Sequence, residues 1–166
     1  MYKKRNEHEA KAAIELILKN TMLDKNARCI DLASGSGRHS IALSEKNFNV
    51  TGFDISENLL RLASTNSTLI SPKPNFVRGD LRCLPFKQRF DIAVNLFTSW
   101  GYFLEDKENE SVISGVNLLL KNNGYFILDF LNCDYLTSNL IPESFEVIDG
   151  ISISQRRYIT CLLYTS

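Results

Sequence analysis

The chain has 166 residues, 44% hydrophobic and 23% charged, which is enough for one domain with a real core and too apolar for a disordered chain. Nineteen basic residues balance nineteen acidic ones, so no long-range field draws the chain to nucleic acid or to an anionic membrane. No apolar run approaches the ~18 residues of a membrane span. The charged start MYKKRNEHEA lacks the apolar centre of a signal segment. A cytoplasmic protein is expected. Cys29, Cys83, Cys133 and Cys161 form no CxxC pair and stand near no histidine cluster. No metal site is therefore expected, and the first three are read as small buried thiols in a reducing compartment.

Residues 7–20, EHEAKAAIELILKN, place Ala10, Ala13, Ile14, Ile17 and Leu18 at helical spacing. A buried strand is expected at 28–33, within ARCIDLASGSGRHS, then a glycine-broken turn and a helix over 38–46. Gly35 and Gly37 permit backbone angles other residues resist and keep bulk away from whatever sits above the turn. The first N–H groups of the helix face the same place. NVTGFD reads as a strand over 49–54. Ser56 caps a helix over 57–66, and 75–78 is a short strand. A connection with room for a helical turn leads to a strand over 90–97. Val112, Ile113, Val116, Leu119 and Leu120 mark a helix over 105–121, ended by Asn122, Asn123 and Gly124. A fifth strand covers 125–131. Phe145, Val147, Ile151 and Ile153 then flank Asp149 and Gly150 as a hairpin.

Strands alternating with helices call for a doubly wound, mostly parallel sheet with helices on both faces. The expected organisation is a single domain over 1–160, with an N-terminal helix at 7–20, a core at 27–132 and a hairpin insertion at 143–160. Ligands in such folds bind beyond the carboxyl ends of the strands, where the winding reverses. The residues there are 33–37, Asp54, Gly79 and Asp80, 95–99, and 129–132. Small and polar residues gather where apolar strands stop.

Gly35-Ser36-Gly37-Arg38-His39-Ser40 matches a dinucleotide pattern weakly, since Ser40 is small but is not the expected third residue. Asp54, seventeen positions after Gly37 (54 − 37 = 17), can accept from both hydroxyls of a ribose. That suits NAD and S-adenosylmethionine alike. Asp31, inside the first strand, would repel a pyrophosphate but suits a cationic amino-acid end. Asp80 can accept from an adenine amino group, with the backbone after it reaching the ring nitrogen. Asp31, Asp54 and Asp80 are expected to converge on one cleft.

DLASGSGRHSIAL, VTGFDIS, FVRGDLRCLPF, FDIAVNLFTSWGYF and LLLKNNGYFILDFLN resemble, in order, the motifs of class I S-adenosylmethionine-dependent methyltransferases, over roughly residues 7–140. The resemblance implies a Rossmann-like methyltransferase fold with a seven-stranded sheet whose last strand is antiparallel. It implies that Asp31 and the turn Ala33, Ser34, Gly35, Ser36 and Gly37 hold the methionine end. It places Asp54 at the ribose, Ile55 beside the adenine, and Gly79, Asp80 and Leu81 at the adenine edge. Asn95, Leu96 and Phe97 would form the floor. Ala33 departs from the family's usual glycine and adds one methyl group under the cofactor.

Phe97, Trp100 and Tyr102 are candidate acceptor contacts, although Trp100, Tyr102 and Phe103 could equally roof the core. His39 is read as structural. No catalytic residue is named, because methyl transfer is an in-line displacement that needs a general base only when the acceptor arrives protonated. A small-molecule acceptor is expected, with no membrane or nucleic-acid partner. The alternatives are an NAD(P)-dependent oxidoreductase of the same fold, or an inactive cofactor-binding fragment. Only a hairpin follows the fifth strand, so a chain cut short at its C-terminal side is expected, with 161–166 as a non-native tail.

Overall fold

The computed structural model describes residues 7–97 and 99–159. The chain divides after Phe130 into two compact units. The first contains α1 (Glu7–Asn20), β1 (Arg28–Leu32), α2 (Arg38–Ser44), β2 (Asn49–Asp54), α3 (Glu57–Asn66) and β3 (Asn75–Arg78). It continues through a 3-10 turn at Leu81–Cys83 to β4 (Phe90–Asn95), α4 (Asp106–Leu119) and β5 (Leu120–Leu128). The strand order is β3-β2-β1-β4-β5 and every pairing is parallel. The chain winds outward from β1 to β3, then returns to β4 on the other side of β1. The reversal therefore falls between β1 and β4, which is where such sheets bind ligands.

Both faces of β1 are covered. Ala10, Ile14 and Ile17 of α1 and Ala42 and Leu43 of α2 pack with Cys29, Val50, Ile92 and Val94. On the other face Ile30, Leu32, Phe53, Phe90 and Ala93 meet Val112, Val116 and Leu119 of α4. Two-sided burial explains why these strands are mostly apolar, with Asp31 of β1 as a buried exception.

Several boundaries differ from the sequence expectation. β1 stops at Leu32 and β4 at Asn95. Helix α2 ends at Ser44, with the chain reversed by Asn47 at φ 67°. Helix α4 ends at Leu119, because Gln88 and Arg89 donate to the carbonyls of Leu118 and Leu119 and so occupy its last acceptors. Leu120 then turns extended and pairs with Phe90. Asn122, Asn123 and Gly124 do not cap the helix. They form an irregularity inside β5, where the register jumps between Phe90 and Ile92 and Asn123 takes φ 63°. Cys83 and Cys133 are exposed, and only Cys29 of the expected buried thiols is buried; Cys161 lies outside the described residues. Among the described residues no helix is long and apolar enough to cross a membrane.

The second unit contains α5 (Cys133–Asn139), β6 (Glu143–Ile148) and β7 (Ile151–Arg156). The two strands pair antiparallel around Asp149 and Gly150. Helix α5 was not anticipated; its signal was Asn132, whose side chain accepts from the Tyr135 N–H at 2.9 Å.

Gly79 follows β3, and a Cβ there would lie 2.3 Å from the ring of Phe53, which is fully buried. Gly79→Ala is expected to cost about 1–3 kcal/mol by overpacking. The reading is a lower urea midpoint at constant slope; an unchanged midpoint would mean that the Phe53 ring yields.

Candidate functional site

The turn after β1 is stitched to β2. Ser34 N–H donates to the Phe53 carbonyl at 3.2 Å, and Gly35 N–H donates to Asp54 Oδ2 at 2.8 Å. The other carboxylate oxygen, Oδ1, accepts from Ser56 N–H at 2.8 Å. Asp54 is 8% exposed and keeps further acceptor positions on both oxygens. Ala33, Gly35 and Gly37 all take positive φ, at 58°, 53° and 81°. The three differ in what they face. A Cβ on Gly37 would press on Ala63 at 2.8 Å, whereas one on Gly35 would meet nothing within 4 Å. Gly37 is a packing glycine, and Gly35 opens onto empty space.

That space is a cleft of about 570 Å³, lined by the turn residues 33–36 with Arg38, His39, Asp54, Leu59, Leu96, Phe97, Ser99 and Tyr102. Its size is in the range of small-molecule sites. A larger hollow of about 680 Å³ lies at the opposite, amino end of β4 and β5, lined by surface lysines and amides such as Lys87, Lys121 and Asn122. Only the smaller one sits at the winding reversal with a fixed carboxylate, so it is the candidate site.

Of the residues singled out from sequence, Ala33, Ser34, Gly35, Ser36, Asp54, Leu96, Phe97 and Tyr102 line this cleft. Gly37, Ile55, Gly79, Asp80, Leu81, Asn95 and Trp100 do not. The three carboxylates fail to converge on it. Asp31 lies beneath the turn at 1% exposure and accepts from Ser40 Oγ at 2.6 Å. Asp80 is claimed by Arg82, whose backbone N–H donates to it at 2.9 Å and whose guanidinium donates at 2.6 Å. Arg82 also pairs with Glu108 of α4 and lies over the Phe103 ring. Leu81, Trp100 and Phe103 pack on the core, while Tyr102 is 76% exposed. Asn95 Nδ2 donates to the Leu32 carbonyl at 3.1 Å. Sequence reasoning had not assigned Arg38, His39, Leu59 or Ser99 to the site. The available signal was position alone, since Arg38 and His39 directly follow the second glycine.

Two orphaned atoms mark the same region. Among the described residues, Ser34 Oγ and Asn95 Oδ1 are buried with no hydrogen-bond partner, a state that costs about 1–3 kcal/mol each. A ligand that presents ribose hydroxyls fits what this cleft offers, the remaining acceptor positions of the Asp54 carboxylate beside the open space over Gly35. No group of three or more His, Cys, Asp or Glu among the described residues is placed to hold a metal.

Burial pushes the Asp31 carboxyl up to about 7, with the Ser40 hydrogen bonds opposing the shift. Burial, reinforced by Arg38, pushes His39 down to about 4 against the pull of Asp129. The unfolded chain binds the His39 proton more tightly than the folded one, so this group makes stability rise from about pH 4 to 6.5. For Asp31 the folded chain holds the proton more tightly, so stability falls from about pH 4 to 7. The two slopes oppose one another in the parent chain. Asp31→Asn is expected to steepen the rise of stability with pH over this window, and His39→Gln to leave a fall. Urea unfolding at a series of pH values reads both, and profiles parallel to the parent would refute the assignment.

The family model described as "Methyltransferase domain" matches residues 29–124. YqeM of Bacillus subtilis (strain 168), which bears a methyltransferase name, is 31% identical over 123 residues, 74% of this chain and 49% of YqeM. A glycine/sarcosine N-methyltransferase of Parasynechococcus marenigrum (strain WH8102) is 31% identical over 109 residues, 64% of this chain and 39% of that protein. The chain thus spans about half or less of the curated relatives it matches. Among solved structures, a SAM-dependent methyltransferase from Methanosarcina mazei is similar at TM-score 0.58 and 30% identity, over 68% of this chain and 55% of that one. The parallel sheet, the turn that stitches β1 to β2 and the match across 29–124 lead to one conclusion: this chain belongs to the methyltransferase domain family.

Proposed function

We propose that the chain binds S-adenosylmethionine in the cleft over the 33–37 turn and directs its methyl group to a small-molecule acceptor. The observation that carries this reading is the Asp54 carboxylate, held at the cleft wall by the Gly35 and Ser56 amides with acceptor capacity left for two ribose hydroxyls. The family match supports the choice of ligand. When bound, the cofactor supplies an electrophilic methyl group; the protein's work is alignment and exclusion of water.

In this reading Ala33, Ser34, Gly35 and Ser36 form the bed under the ligand. Gly37 secures that bed by packing on α3. Leu96 and Phe97 close the floor, with Asn95 bracing it through the Leu32 carbonyl. Asp31 acts from below the turn as a buried acid and does not touch the ligand. Ile55, Gly79, Asp80 and Leu81 follow the tips of β2 and β3 and would border the adenine end. The acceptor enters past Ser99 and Tyr102. The zero net charge of the chain and the name of the glycine/sarcosine relative support a small molecule.

Thermal-shift and calorimetric titration test the reading. S-adenosylhomocysteine is expected to raise the melting temperature and NAD to leave it unchanged. Asp54→Asn is expected to weaken S-adenosylhomocysteine by about 10-fold or more, the scale of a lost hydrogen bond to a charged group. Stabilisation by NAD alone would replace this reading with the oxidoreductase one.

A further inference from the structure

The cofactor reading leaves one buried acid without a use. Asp31 stands on β1, 1% exposed, two residues before Ala33, where the cleft lining begins. At ~3.3 Å per residue the step between them is about 7 Å. Its carboxylate caps α2 from outside that helix. Gly37 at the N-cap offers no side-chain hydrogen bond, and the backbone N–H and hydroxyl of Ser40 both donate to Asp31, the hydroxyl at 2.6 Å. Asp31 is level with Gly52 on β2, and a Cβ on Gly52 would lie 2.9 Å from Ser34 Oγ. Ser34 also lines the cleft, so the cleft wall reaches down to the residue beside Asp31.

Few charges act on this carboxyl. The Asp54 carboxylate at the tip of β2 opposes its ionisation, and the Arg38 guanidinium on α2, itself paired with Glu9 of α1, favours it. Burial holds His39 of α2 down to about 4 and pushes the Cys29 thiol of β1 up to about 12, so neither changes charge near neutral pH. β4 contributes Val94 as the ladder partner, and α1 packs on the sheet with Ala10, Ile14 and Ile17. Burial outweighs the Ser40 hydrogen bonds and Arg38, and holds the Asp31 carboxyl at about 7. An acid balanced there, beneath a cleft wall, responds to the charge of whatever fills the cleft. A unit charge within about 10 Å, at an effective dielectric constant of about 20, shifts such an equilibrium on the order of 10-fold.

We propose that Asp31 is the residue by which the cleft distinguishes S-adenosylmethionine from S-adenosylhomocysteine: it ionises when the first, whose sulfonium adds one positive charge, is bound, and not when the second, whose sulfur is neutral, is bound. This rests on the cofactor reading above and uses the ligand's charge, not its direction in the cleft. The proton that leaves the Asp31 carboxyl goes to the buffer. Asp31 is a specificity-determining residue that acts through the turn and touches neither ligand nor reacting atoms.

The test counts protons by isothermal titration calorimetry in buffers of different ionisation enthalpy. A 10-fold coupling lowers the Asp31 carboxyl from about 7 in the free protein to about 6 under the bound cation. At about pH 6.5, S-adenosylmethionine is therefore expected to release about half a proton more than S-adenosylhomocysteine. Below this window the bound cation must first displace the proton, and above it the carboxylate is already formed. The affinity for S-adenosylmethionine relative to S-adenosylhomocysteine is thus expected to rise between about pH 5 and 7.5, by about 10-fold more in the parent than in Asp31→Asn. Asp31→Asn is also expected to remove the excess proton; the ligands' own amino groups titrate alike in parent and variant and drop out of that comparison. Equal proton counts for the two ligands in the parent, or an excess that survives in Asp31→Asn, overturns the proposal. Should Asp31→Asn fail to fold, Ser40→Ala decides. It removes one hydrogen bond to the carboxylate, so the pH of greatest proton release must move up by about one unit, and an unmoved maximum overturns the proposal. A parent chain that binds neither ligand removes the cofactor reading and this one with it. Binding of both with equal proton counts removes this one alone.

Discussion

The hydrogen bond from the Gly35 amide to the Asp54 carboxylate joins the turn after β1 to the tip of β2, and the cleft owes its shape to that bond. Without it, three consecutive odd positions with positive φ would have no reason to adopt one arrangement, since such angles cost an alanine roughly 1 kcal/mol or more. Parallel pairing of β1 with β2 and β4 brings the partners together. It places Asp54 and Leu96 on either side of the turn by topology alone. The carboxylate then has two tasks, holding the turn through one oxygen and the entry to α3 through the other. Its remaining acceptor capacity is pre-positioned for a ligand at no further ordering cost.

Charge is distributed around the turn in layers. Asp31 sits beneath it, desolvated and satisfied by Ser40. This also explains the serine at the third small position of the glycine pattern. Ser40 is fully buried, and its hydroxyl does there what an alanine could not. The cleft wall itself carries the carboxylate of Asp54, the guanidinium of Arg38 and the imidazole of His39, which burial keeps neutral. Asp80 shows the opposite outcome. Its geometry at a strand end is the same in principle, but a guanidinium two residues away on the 3-10 turn takes up its oxygens and ties them to α4 through Glu108.

Local pattern was enough wherever one segment decides its own fate. Helix α3 runs over 57–66 behind its Ser56 cap, as read from sequence, because the cap and the spacing of Leu60 and Ala63 are properties of those residues. The three central strands β1, β2 and β4 are legible because burial on both faces leaves them mostly apolar. The end of α4 was not legible. Asn122, Asn123 and Gly124 have the chemistry of a helix stop, but the actual stop is imposed by Gln88 and Arg89, thirty residues away in sequence. Gly79 and Gly37 carried the look of ligand glycines and are explained by the rings and methyls packed against them.

The amino-acid sequence by itself determined the alternation of strands and helices, hence the parallel sheet, the edge where its strands end, and an acid, Asp54, at the end of the second strand. These follow from periodicity and from where apolar runs end, and both are local quantities. Tertiary structure alone decided which of the acids faces the cleft, because that depends on partners distant in sequence: Ser40 for Asp31, Arg82 and Glu108 for Asp80, Gly35 for Asp54. It also decided that Arg38 and His39 are cleft residues. The direction of a side chain at the start of a helix is set by what lies across from it, here the left-handed Phe97 held by Asp129, and no spacing in the chain encodes that.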